Sequence, residues 1–131
     1  MPDYNDVNSS GKYDTFEGGA VRDAAEEKGR FDLIPYWGLF RLARHYENGC
    51  KKYEENNWKK GMPQSRYFSS AVRHLFRYWA GDRSEDHLAA AAWNVFALID
   101  QEERMSRGTL DKKYDDTPTF KDYDANSEPR K

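Results

Sequence analysis

The run Leu88–Leu98, LAAAAWNVFAL, is the feature that most constrains how this chain can fold. It shows no strand alternation, and its length and composition read as helix. Wound at about 100° per residue, it is apolar nearly all the way round. Such a helix is stable in water only when neighbours cover several of its sides, so it is expected to be central.

Two further helices are available upstream. Asp32 and Pro35 in DLIP suit a helix start, and the first helix is expected to run to about Tyr53, with Gly49 as a break point. Tyr36, Leu39, Phe40, Ala43, Tyr46 and Cys50 recur at helical spacing, which predicts a buried face. The loop NNWKKGMP follows, punctuated by Gly61 and Pro63. Ser65 is the expected cap of a second helix ending near Ala80. Phe68, Ala71, Val72, Leu75, Phe76 and Trp79 share its predicted buried face, Arg66, Ser69, Ser70, Arg73 and Arg77 lie opposite, and His74 falls between them. GDRSED makes the next turn, with Ser84 as expected cap of a third helix over Glu85–Arg104.

All four tryptophans (Trp37, Trp58, Trp79, Trp93) and five of the seven phenylalanines fall between Phe31 and Arg104. The expected organisation is therefore a helical domain over 31–104, between polar, solvated arms at 1–30 and 105–131, in which short stretches such as TFEGGAVRD could fold over a site. Three helices make a thin core. Self-association into a dimer or tetramer would complete the bundle around the third helix.

At 131 residues the chain is one domain by length, and a net charge of -2 offers no general basic face for nucleic acid. The single cysteine, Cys50, excludes an intramolecular disulfide and a thiol-built zinc site. No apolar run suits a membrane span or a signal peptide, so a cytoplasmic setting without membrane association is expected.

Function should show where polar groups interrupt apolar faces. Glu47 follows Phe40 and Ala43 by seven and four residues and so lies along the predicted buried stripe, with Glu54 seven residues further on. A carboxylate there needs a cation, either Arg73 or Arg77 of the second helix or a metal. Asp86, His87, Ala90 and Asn94 share one quadrant of the third helix, where the alanine leaves room for a ligand. The alternative is helix capping and local hydrogen bonding. His45, His74 and His87 sit on three different helices; three imidazoles can gather round a metal, or each be a satisfied structural residue. No HExxH motif or adjacent His-Asp dyad is present. Lys51, Lys52, Lys59, Lys60, Arg66 and Arg73 form a basic set suited to a polyphosphate, with Lys52 and Arg73 the best placed. Trp58 and Tyr53 are candidates to stack on a base, or are simply core or lid aromatics.

The segments GCKKY…NW..G, RHL and DHLAAAAWN, within residues 28–103, resemble the phage dATP/dGTP diphosphohydrolase family, among the MazG-like all-helical nucleotide pyrophosphohydrolases; FEGGAVRD resembles its lead-in. The resemblance implies an all-α MazG-like bundle. It also implies hydrolysis of purine deoxynucleoside triphosphates to the monophosphate and pyrophosphate with Mg²⁺ or Mn²⁺, adjusting the dNTP pool of a phage-infected cell. Carried onto this chain, it makes Glu47 and Asp86 catalytic metal ligands with His87 beside them, and Glu54, from its place near the face of Glu47, is a further candidate ligand. Lys52, Asn57, Trp58, Arg73, His74 and Asn94 are the substrate-binding candidates. The family's ExxE and ExxD pairs are incomplete here: Asn48, Gly49 and Cys50 follow Glu47, and Ala91 stands three residues before Asn94. The alternative is a weakly catalytic nucleotide-binding or helical interaction protein on the same fold.

Overall fold

The computed structural model describes residues 7–120, in two compact units that divide after Pro35. The first carries short strands in and beside TFEGGAVRD, the stretch of the polar arm expected to be able to fold. Strands β1 (Tyr13–Thr15) and β2 (Val21–Asp23) pair antiparallel, with Asp14 opposite Arg22. The Phe16 N–H donates to Ala20 O and the Gly19 N–H to Phe16 O, closing the turn between them, with Gly19 at φ +87°. Asp23 secures the preceding segment by accepting from the Ser10 N–H and hydroxyl and from Lys28. The strands are three residues long, too short for hydrophobic alternation to announce them.

The second unit holds the three helices: α1 (Tyr36–Gly49), α2 (Gln64–Trp79) and α3 (His87–Ser106). As expected, α3 is central and packs along both α2 and α1. Ala89, Ala90, Ala91 and Ala97 let those neighbours approach closely, and all four are buried. Trp93 is the common wall, with the rings of Tyr46 at 6.0 Å and Tyr67 at 5.9 Å from its own. Among the described residues no helix is long and apolar enough to cross a membrane.

Several expectations are corrected. α1 stops at Gly49 rather than Tyr53, where the Tyr53 N–H closes a turn onto Gly49 O. α2 begins at Gln64, with Pro63 before it, and Ser65 lies inside the helix. Its backbone N–H (2.9 Å) and its hydroxyl both donate to Asp116, so a carboxylate from the far end of the chain serves the first turn. α3 is capped by Asp86, not Ser84: the Ala89 N–H donates to Asp86 Oδ1 at 3.0 Å.

The segment after α3 is not a solvated tail throughout. Leu110 and Tyr114 pack over Gly61, which holds φ +85°. A Cβ there would lie 2.7 Å from the Tyr114 ring, so the close approach requires glycine.

The buried faces of α1 and α2 also differ from those predicted. Only Leu42 of α1 is buried; Tyr36, Leu39, Phe40, Ala43 and Cys50 are exposed. On α2 the covered stripe runs through Gln64, Tyr67 and Ala71 to the half-buried His74. Phe68, Leu75, Phe76 (70 % exposed) and Trp79 (85 % exposed) face outward. Polar anchoring turns the helix this way. Gln101 of α3, fully buried, donates from Nε2 to Gln64 Oε1 (2.6 Å) and Met62 O (2.8 Å), while its Oε1 accepts from the Met62 N–H. Rotating Phe68 and Phe76 inward would break those bonds inside the core, where each unsatisfied group costs about 1–3 kcal/mol.

Candidate functional site

The end of α1 and the start of α3 enclose an open cleft of about 330 Å³, lined by Arg41, Arg44, His45, Asn48, Glu85 and Asp86. Four of these, Arg41, Arg44, His45 and Asn48, fall at i, i+3, i+4 and i+7 of α1, so one helix stripe delivers them together. Each arginine is held by a carboxylate. Asp86 accepts two parallel bonds from Arg41, Nε at 2.7 Å and Nη2 at 2.6 Å. Glu47 accepts from Arg44 Nη1 at 2.7 Å. The Arg41 guanidinium holds the Asp86 carboxyl below the usual range, and Asp86 in turn raises Arg41. Burial against Trp93 pushes the His45 imidazole down, opposed by Asp86 and Glu85, so near neutral pH it is an uncharged donor or acceptor.

Glu85 belongs to two groupings. It lines the cleft, and its Oε1 lies 3.3 Å from His74 Nδ1 and 3.4 Å from His87 Nδ1. The two Nδ1 atoms are 2.9 Å apart. Among the described residues His74, Glu85 and His87 form the one cluster with the composition and spacing to hold a metal ion. The α2–α3 turn creates it, by bringing the end of one helix and the start of the next side by side. Burial pushes His74 down, with Glu85 opposing the shift, so the imidazole favours the neutral form that ligates. His87 Nε2 lies 3.0 Å from Asp82 Oδ2, but off the hydrogen-bond axis, and this buried nitrogen has no hydrogen-bond partner. Asp82 Oδ1 accepts from the Ser84 N–H and hydroxyl, which hold the Asp82 carboxyl far below the usual range, with His87 adding to the effect.

The carboxylates expected to share a metal are not gathered. Glu47 is exposed and paired within its own helix, with neither Arg73 nor Arg77 as partner. Asp86 faces Arg41, and Glu54 pairs with Lys60 at 2.9 Å in the loop after α1. Local pairing three residues apart satisfies Glu47 without burial. Of the expected ligands only His87 lies in the cluster, where His74, expected to bind substrate, joins it.

The remaining substrate candidates are dispersed. Asn94 is buried and donates from Nδ2 to Ala90 O at 2.8 Å, and Arg73 donates to Ser70 Oγ on the surface of α2. Asn57 opens the short 3-10 turn Asn57–Lys60. The Arg104 guanidinium covers the Trp58 ring at 5.7 Å, and Lys52 sits over Tyr53. Sequence reasoning passed over Arg41, Arg44, Asn48, Asp82 and Glu85. The Arg-x-x-Arg-His-x-x-Asn stripe on α1 and the Glu-x-His at the start of α3 were the signals that mark four of them; Asp82, in the α2–α3 turn, has none.

Comparison with curated proteins and with solved structures gives no match. A family described as dATP/dGTP diphosphohydrolase, N-terminal, matches residues 18–114, which run from within the hairpin turn through β2 and all three helices to Tyr114 over Gly61. With about three quarters of its length inside that match, the chain belongs to the dATP/dGTP diphosphohydrolase N-terminal family.

Proposed function

We propose that this chain hydrolyses purine deoxynucleoside triphosphates with the help of a divalent cation. Water attacks the α-phosphorus, the bond from it to the bridging oxygen of the β-phosphate breaks, and the monophosphate and pyrophosphate leave with release of a proton. The observation that carries this reading is the double membership of Glu85, which sets a cleft lined by two arginines directly beside a His/Glu/His donor set. Family membership supports the same reaction class.

Charge balance supports the cation. Arg41 and Arg44 bring two positive charges to the cleft, and Glu85 and Asp86 bring two negative ones. A triphosphate entering there adds several negative charges that the side chains do not offset. A divalent ion, when bound, supplies that neutralisation and activates water for attack.

The chain's own residues bind and orient. Arg41 and Arg44 engage the phosphate oxygens, their guanidinium planes held by Asp86 and Glu47. Asp86 and Glu47 thus act as positioning residues, and neutral His45 and Asn48 add hydrogen-bonding capacity to the same wall. Self-association, as a dimer or tetramer, belongs to this reading. The outward Trp37, Phe40, Phe76 and Trp79 are apolar area that a second copy would cover. The phage-infected setting and the adjustment of its dNTP pool follow from the resemblance alone, and the cytoplasmic setting from the chain's polar composition.

The test is incubation of the pure protein with each dNTP and Mg²⁺ or Mn²⁺, followed by assay of pyrophosphate. dATP and dGTP are expected to release it, and Arg44→Ala to raise KM more than it lowers kcat. Binding without release for every dNTP would overturn the reaction and leave a nucleotide-binding protein, the reading that the dispersed carboxylates favour.

A further inference from the structure

We propose that His74 Nδ1, His87 Nδ1 and Glu85 Oε1 form a three-donor site for a first-row transition ion, taking Mn²⁺, Co²⁺ or Zn²⁺ in preference to Mg²⁺. The site is a property of the chain without nucleotide; only its part in phosphate chemistry rests on the hydrolase reading.

Geometry is the first argument. The three donor atoms form a triangle with edges of 2.9, 3.3 and 3.4 Å. An ion bound tetrahedrally at about 2.0–2.1 Å requires donors about 3.3–3.4 Å apart. Two edges already match, and the imidazole–imidazole edge needs to open by only a few tenths of an ångström.

Without a cation the same arrangement is poorly satisfied. Two imidazole nitrogens facing each other share one proton, so one donates and the other accepts. Glu85 then stands 3.3–3.4 Å from both, beyond a good hydrogen bond. Burying a histidine completely while its second nitrogen lacks a proper partner adds to the cost. A cation answers the first difficulty and fixes the tautomer that the second requires. With Nδ1 committed to the ion, His87 carries its proton on Nε2, which lies 3.0 Å from Asp82 Oδ2 and needs only a small rotation of that carboxylate to donate to it. Histidine ligands commonly present their other nitrogen to a carboxylate in this way, which fixes ring and tautomer. Asp82 is itself steadied by the Ser84 N–H and hydroxyl at 2.8 and 2.6 Å.

Donor chemistry sets the selectivity. Mg²⁺ takes oxygen ligands in octahedral geometry and sheds its waters reluctantly, whereas imidazole suits the later first-row ions. Two nitrogens and one oxygen therefore disfavour Mg²⁺.

The experiment is a Co²⁺ titration of the full chain without nucleotide, read by visible d–d absorption, with Zn²⁺, Mn²⁺ and Mg²⁺ as competitors. A saturable band of one equivalent is expected, displaced by Zn²⁺ and not by equimolar Mg²⁺. Glu85→Gln, at an exposed position, is expected to keep the fold and weaken Co²⁺ at least about 10-fold; His74→Gln should abolish the band. Asp82→Asn should weaken binding by about 10-fold through His87. A missing band, a band unchanged in Glu85→Gln and His74→Gln, or displacement by equimolar Mg²⁺ overturns the proposal. Co²⁺ bound at this site with no dNTP hydrolysed would refute the hydrolase reading alone. Hydrolysis that persists in Glu85→Gln with no band in the native chain would refute the metal site alone.

Discussion

Asp86 does two separable jobs, and substitution can divide them. Its Oδ1 caps α3 through the Ala89 N–H, and both its oxygens receive the Arg41 fork. Removing a side-chain cap costs about 1 kcal/mol. The ion pair is bidentate, but Arg41 is 53 % and Asp86 34 % exposed, so solvent screening limits it to about 0.5–1 kcal/mol. Asp86→Asn keeps an oxygen for the cap and loses the pair, so it should destabilise by about 1 kcal/mol once the lost charge at the helix N-terminus is included. Asp86→Ala loses both, about 2 kcal/mol. Arg41→Gln loses only the pair. For a domain of this size 1 kcal/mol moves Tm by about 4 °C. The expected falls are thus about 8 °C for Asp86→Ala and about 4 °C for Asp86→Asn, measured by circular dichroism at one fixed protein concentration. In Arg41→Gln/Asp86→Asn the losses should not add, because either change alone removes the pair. Equal destabilisation by Asn and Ala would show that the cap contributes nothing. Full additivity in the double variant would show that the pair is not coupled. As positioning residue, Asp86 should act on KM for dATP more than on kcat; an Asp86→Asn chain with unchanged KM and a collapsed kcat would restore Asp86 as a group at the reacting atoms.

Three further outcomes follow from the same packing. His45 is held below its unfolded value by burial, so its neutral form stabilises the fold above about pH 6.5, and that stability is lost as pH falls toward the folded value. Urea midpoints between pH 7 and 5.5 should therefore fall less steeply in His45→Gln; an identical slope would refute the assignment. Gly61→Ala places a methyl 2.7 Å from the Tyr114 ring at φ +85°, and should destabilise by about 2 kcal/mol or more, with Tyr114→Ala recovering part of the loss. Recovery of none would mean that backbone strain alone is responsible. Phe76→Glu and Trp79→Glu, at outward positions of α2, should lower the mass of the native species in light scattering while leaving helicity intact; an unchanged mass would mean that α2 is not where copies meet.

How much was legible divides along physical lines. The centrality of α3 was readable because LAAAAWNVFAL leaves no polar side to give to water. The faces of α1 and α2 were not, because hydrophobic periodicity marks apolar stripes without saying which molecule covers them. On α2 the stripe through Phe68 and Phe76 is real but points outward, and the stripe that α3 covers is chosen by Gln64, Tyr67 and Gln101, residues a hydropathy pattern discounts. The strand pairing within and beside TFEGGAVRD and the Asp116 contact with Ser65 escaped because short strands and long-range caps leave no period.

The same division explains the site. Glu47 and Asp86 stood out as charges near apolar faces; Glu47 is in fact exposed, and each carboxylate meets a guanidinium. Sequence position does not say which cation. For Glu47 it is Arg44, three residues away on the same helix; for Asp86 it is Arg41, 45 residues back along the chain. With both paired to guanidinium groups, their part in the proposed function is to aim two arginines into one cleft rather than to hold a metal. The proposed metal donors then centre on the residue both groupings share. Glu85 is the carboxylate that no stripe analysis singles out, since it precedes α3 and has no helical phase. Its place between His74, His87 and the arginine cleft comes from the α2–α3 turn, so the proposed chemistry rests most on the segment where periodicity carries least information.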